Sequence, residues 1–155
     1  MEQKFDLLIS HSQLRLRSKP YVDSEHQWGP GNAEQGFLLH DGLINADPLV
    51  EGSFGANVIV RVSETYTPDP AVQRSARLAF NIIEPDNVTV SSASEEFKVE
   101  FPFRAGPHTV VYDVCLANEV YYVFTILPTA GAESVMQLDD NWGASKDAPL
   151  RTGKF

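Results

Sequence analysis

The side chains here with chemistry to offer are four histidines, one cysteine and 21 carboxylates, in a chain of 155 residues. His11, His26, His40 and His108 are scattered, and none enters an HExxH or HxH pattern, so local geometry sets no two imidazoles against one metal ion. Cys115 lies between Val114 and Leu116 with no basic neighbour or helix terminus to stabilise a thiolate, and reads as a small buried residue. GxSxG, P-loop and dinucleotide-binding patterns are missing, and Gly29-Pro30-Gly31 is stiffened by its proline into a turn. Asp86-Asn87 and Asp139-Asp140-Asn141 are too sparse for a DxDxDG calcium loop. A glycosidase needs two carboxylates at a fixed separation, and nothing in the spacing singles out a pair. The chain therefore reads as a non-enzyme without a cofactor.

What the acids offer is recognition of a basic surface. Twelve Lys and Arg stand against 21 Asp and Glu, a net charge of −9 with a pI near 4.8. Such a charge repels nucleic acid and anionic membrane and draws basic partners. The excess is segregated. Residues 20–60 hold Asp23, Glu25, Glu34, Asp41, Asp47 and Glu51 without a single Lys or Arg. Between Arg104 and Lys146 lie Asp113, Glu119, Glu133, Asp139 and Asp140, again without a base. The rest of the chain has 10 acids and 12 bases, so the two windows hold all of the excess negative charge. Trp28 sits in the first window. Exposed, it would anchor a partner while the charges steer encounter; folded back, it would cover an open end of the fold. The candidate partner-binding residues are Asp23, Glu25, Trp28, Glu34, Asp41, Asp47, Glu51, Asp139 and Asp140. The alternative, from a different class, is a β-sandwich ligand-binding module for carbohydrate or calcium.

The elements that must position these residues are short strands. Residues 5–17 alternate, with Phe5, Leu7 and Ile9 on one parity and Leu14 and Leu16 on the other, which requires a break near 10–13. Asn32 is placed to cap one helical turn ended by Gly36. Residues 37–40 and 43–44 flank the tight turn Asp41-Gly42. Strands follow over 57–66, 73–84, 88–90, 97–103, 108–117 and 120–127, with a loop at 128–132 and a short strand within 133–138. The run 120–127 is apolar on both parities, as a central strand is, while Pro102 marks a strand end or sheet edge. Helical periodicity is absent from every window of about 11 residues or more. The pattern predicts an all-β fold: a single-domain antiparallel β-sandwich of about seven to nine strands with long loops. That domain is expected over 1–138, with a partly ordered tail over 139–155. Neither a signal peptide nor a membrane-spanning run is visible, and one cysteine allows no internal disulfide, so a cytoplasmic protein is the simplest reading.

The order Ile9-Ser10-His11-Ser12-Gln13-Leu14, then Trp28 in an acidic loop, Gln35-Gly36-Phe37, Asp41-Gly42-Leu43-Ile44 and a valine-rich strand resembles the competence protein J family. The likeness extends through 97–103 to the glycine that follows. Where the family pattern has an aromatic and a His before the Gln and another aromatic after it, this chain has His11, Ser12 and Leu14. The tail after Val135 has no counterpart in the pattern. The resemblance implies a small acidic protein that binds and blocks a DNase. A DNA-cleaving surface is basic, so an acidic one can occupy its groove as DNA would.

Overall fold

The computed structural model describes residues 1–131 and 133–155; Ala132, the end of the loop expected at 128–132, lies outside the described residues. The chain is mostly β, 45% strand against 6% helix, and its strands form two sheets. In chain order they are β1 (Glu2–Ile9), β2 (Leu14–Arg17), β3 (Phe37–His40), β4 (Leu43–Ala46), β5 (Phe54–Val62), β6 (Val72–Ile82), β7 (Thr89–Ser91), β8 (Glu96–Lys98), β9 (Gly106–Leu116), β10 (Val120–Leu127) and β11 (Val135–Met136). Between β2 and β3 come a 3-10 turn (Asp23–His26) and one helix, α1 (Pro30–Gln35). Eleven described strands exceed the seven to nine expected, because β7, β8 and β11 are only two or three residues long. No described helix is long and apolar enough to cross a membrane.

One sheet has the order β1-β5-β10-β9-β6-β11, the other β3-β4-β2-β7-β8. The expected break between β1 and β2 is present: His11 and Ser12 adopt left-handed backbone (φ 57° and 53°) inside a Ser10–Gln13 bridge. Val120–Leu127 is indeed central, flanked on both sides and buried from Tyr122 onward. Its pairing corrects one expectation. β10 is antiparallel to β9 but parallel to β5, so the fold is not purely antiparallel. A parallel pair needs a long crossover, and here β6 to β9 supply it in place of a helix. The alternation at 97–103 is also shortened. Val99 N–H still reaches the Val88 carbonyl at 2.8 Å. Beyond it Pro102 has no N–H to give, and Phe101 and Phe103 pack edge to face at 5.8 Å.

The chain divides into two compact units. The first comprises Met1–Asp6, Ala56–Phe80 and Pro107–Leu150, and the second Leu7–Gly55, Asn81–Gly106 and Arg151–Phe155. Val58, Val60, Leu78, Val110, Tyr112 and Phe124 are buried in the first; Leu14, Leu16, Phe37, Leu38, Ile44 and Val90 in the second. Residues 139–155, expected as a tail, are shared between them. In the second unit the C-terminal residues dock on α1. Asn32, expected as the cap, sits one turn further in and is fully buried. Its Oδ1 accepts the Gly29 and Phe155 N–H groups at 2.9 and 3.0 Å, and its Nδ2 donates to the Gly153 carbonyl at 2.8 Å. Gly29 is needed at this contact, since a Cβ there would stand 2.2 Å from the Phe155 carbonyl oxygen. Gly36 ends α1 in left-handed backbone (φ 84°), as its position predicts.

Candidate functional site

Seven of the nine candidate residues belong to the second unit, and Asp139 and Asp140 to the first. Asp23, Glu34, Asp41 and Glu51 are exposed on turns, helix and loop. Asp23 accepts from the Tyr21 hydroxyl at 3.3 Å and Asp41 from the Asn81 amide at 3.1 Å, so both are oriented yet open. Glu25 is half-buried and paired with Lys19. Asp47 is half-buried and holds the Leu49 N–H at 2.8 Å, where Leu49 has a φ of 70°. Asp139 is exposed and accepts the Lys146 N–H at 2.8 Å. Trp28 is half-buried and its Nε1 is enclosed without a hydrogen-bond partner. The exposed tryptophan is Trp142, 45% accessible.

Asp140 is engaged internally. Its side chain is 0% exposed and meets Arg74, itself 4% exposed, at 2.8 Å. Burial alone would raise its pKa, but hydrogen bonds from Arg74 and from the Ala144 and Trp142 N–H groups outweigh burial and hold it below the usual carboxylate value. Arg74 also lies 5.8 Å from the Trp142 ring centre. Elsewhere in this unit Asp113 is buried on β9 and receives the Tyr66 hydroxyl at 2.9 Å; burial raises its pKa. Burial and the nearby Asp113 and Asp69 push the Cys115 thiol up to about 12, so Cys115 is the inert buried residue its sequence position suggests. Among the described residues no group of three His, Cys, Asp or Glu is placed to hold a metal ion.

The second unit contains a constellation that the sequence does not announce. On β2, Leu14 and Leu16 face the core, so Arg15 and Arg17 share the opposite face. Register places Asn45, Arg15, Ser91 and Glu96 in one cross-strand row, and Leu43, Arg17, Thr89 and Lys98 in the next. That face is polar yet covered: Asn45 is 0% exposed, Ser91 2%, Thr89 6%, Arg17 7% and Arg15 9%. The covering residues come from the acidic window. Tyr21 stacks on His26 at 4.2 Å, and its ring centre lies 5.8 Å from the Arg15 guanidinium and 5.7 Å from that of Arg17. Burial, then the charges of Arg15 and Arg17, lower the His26 pKa to about 4, so the ring is neutral near neutral pH. Arg15 donates to the Gln13 side chain and the Ser92 carbonyl, and Arg17 pairs with Glu96. Several enclosed atoms keep no partner: Arg17 Nε, Ser91 Oγ, Thr89 Oγ1, Asn45 Oδ1, His26 Nδ1 and His40 Nε2. A cleft of about 460 Å³ opens here, lined by Arg15, Arg17, Tyr21, Ser91–Ser94, Glu95 and Glu96.

The described residues thus form two sheets with exposed carboxylates on turns, helix and loop. The family of the chain is shown by comparison with known proteins: the model for Competence protein J (ComJ) matches residues 6–127, and the chain belongs to that family. The family read in the sequence is thus borne out, over a longer stretch than the motifs covered. Two solved structures share the fold. One is ComJ from Bacillus subtilis, described as an inhibitor of the DNA-degrading activity of NucA. It has 15% identity and a TM-score of 0.66, over 83% of this chain and 96% of that one. The other, described as crocagin biosynthetic gene J, has 13% identity and a TM-score of 0.50, over 83% and 98%. Comparison with curated proteins gives no sequence match.

Proposed function

We propose that this protein binds a nuclease and inhibits it, with no catalysis of its own. The observation that carries the reading is membership of the ComJ family, joined to the shared fold of a protein described as an inhibitor of DNA degradation. Charge gives the reading a mechanism. Asp23, Glu34, Asp41 and Glu51 are exposed carboxylates in a window without Lys or Arg. A surface of this kind suits a groove built to hold phosphates, and long-range attraction raises the rate of encounter. In this reading the loops carry the contact, the partner is a basic DNase, and Asp140 supports the fold.

The test is a DNA-degradation assay with the purified chain and a nuclease encoded beside its gene. Inhibition is expected at low salt and should fall steeply as salt rises. Replacing Glu34 and Asp41 by Lys together should slow association about ten-fold or more while leaving the unfolding midpoint unchanged. A neighbouring nuclease that stays fully active at low salt defeats the proposal.

A further inference from the structure

We propose that the cleft over β2 and β7 is a binding site for a phosphate-class oxyanion, held by Arg15, Arg17 and Ser91. Charge is the first argument. Two guanidiniums face a cleft that is also lined by two carboxylates: Glu96, paired with Arg17, and Glu95, which accepts the Leu8 N–H. The guanidiniums are the buried pair, whereas Glu96 is exposed and Glu95 half-buried. Hydrogen bonding is the second. Arg17 and Ser91 are more than nine-tenths buried and line the cleft, yet Arg17 Nε and Ser91 Oγ have no partner in the protein. Buried polar groups are normally satisfied, so unmet donors beside a cleft mark capacity for a ligand that accepts. Geometry is the third. Arg15 and Arg17 lie two residues apart on one strand and Ser91 pairs with Arg15 on the next, so all three share one face of the sheet. A tetrahedral anion offers oxygens on more than one side to such a set, whereas a carboxylate offers two in one plane. About 460 Å³ holds more than the anion alone, leaving room for the body of a small phosphate monoester. Tyr21, packed over both guanidiniums and 49% exposed, forms the outer wall.

Glu96 makes the proposal separable from a merely structural role, because it occupies Arg17 as an internal anion would. Calorimetry and thermal unfolding of the full chain are carried out with inorganic phosphate, glycerol phosphate and acetate, each against chloride at matched ionic strength. Saturable binding of phosphate with a rise in Tm is expected. Glu96→Gln should bind about five-fold tighter, since it frees a donor and removes a competing charge, and Ser91→Ala about five-fold weaker. Tighter binding of glycerol phosphate than of phosphate assigns the site to an organic monoester; equal binding assigns it to the free ion. The proposal is overturned if neither the native chain nor Glu96→Gln shows saturable phosphate binding. Acetate binding as tightly as phosphate also overturns it.

Discussion

In the first unit, Asp140 is fully enclosed, pairs with an enclosed Arg74 and takes two further backbone hydrogen bonds. In the second, Arg17 is as deeply placed but keeps Nε unmatched, beside Ser91, Thr89, Asn45 and His26 with unmatched atoms of their own. The first unit has its own exception in the neutral hydroxyl of Thr125, but among the described residues no buried charged side-chain atom there lacks a partner. A buried charge whose valences are all met stabilises one geometry and has nothing left to offer a ligand. A buried polar layer with unmet donors does less for the fold than its burial suggests and keeps binding capacity in reserve.

The largest effect should come from breaking the satisfied pair. Asp140→Ala strands the Arg74 charge and should cost about 3–5 kcal/mol in urea denaturation. Asp140 also sets an acid limit. Its pKa is lowered on folding, so its contribution is present above the usual carboxylate value and is lost as pH falls through the lowered folded one. If Asp140→Ala costs less than about 1 kcal/mol, the pair is no more committed to the fold than the Arg17 layer and the contrast fails.

Acid should separate two buried groups, one in each unit, by sign. His26 has a pKa of about 4 in the fold against 6.5 ordinarily, so its contribution is present above 6.5 and is lost as pH falls towards 4. Asp113 behaves oppositely. Its pKa is raised, so its contribution is complete below the ordinary carboxylate value and is lost as pH rises through the folded one. In stability–pH curves His26→Gln should flatten the slope between about pH 6.5 and 4, and Asp113→Asn should stabilise the protein at neutral pH. A His26→Gln curve parallel to that of the native chain would show that neither burial nor the charges of Arg15 and Arg17 lower the pKa of the ring.

How far this was legible in the sequence follows from the range of the interactions. The β1–β2 break, the Asp41-Gly42 hairpin and the central position of 120–127 rest on parity and turn residues, which are local. The parallel β5–β10 pair depends on where four intervening strands go, which no local pattern encodes. Asn32 looks like a cap within its own window, but its partners Gly153 and Phe155 lie at the other end of the chain. Asp140 reads as one more acid in a base-free window until Arg74, far upstream, encloses it. The Arg15–Arg17 layer was hidden for a related reason. Arginines alternating with Leu14 and Leu16 are the normal signature of a wet sheet face. The packing of Tyr21 and His26 over that face is what buries the two arginines.

The smallest stability effect should be the most telling, because it contrasts two adjacent serines. Ser92 is 3% exposed; its hydroxyl accepts the Ser10 N–H at 3.0 Å and donates to the Gln13 carbonyl at 2.6 Å. Ser91 is 2% exposed, and its hydroxyl has no partner. Loss of a buried hydroxyl costs what its hydrogen bonds were worth plus the exposure of partners left unmatched. Ser92→Ala should therefore cost about 1–3 kcal/mol, and Ser91→Ala should lie within about 0.5 kcal/mol of the native chain. Equal costs for the two would mean that Ser91 finds a partner in solution that closes its valence within the fold, and the contrast between the units would then dissolve at this residue. A near-neutral Ser91→Ala that nevertheless loses its phosphate response would instead separate folding from binding at a single oxygen atom.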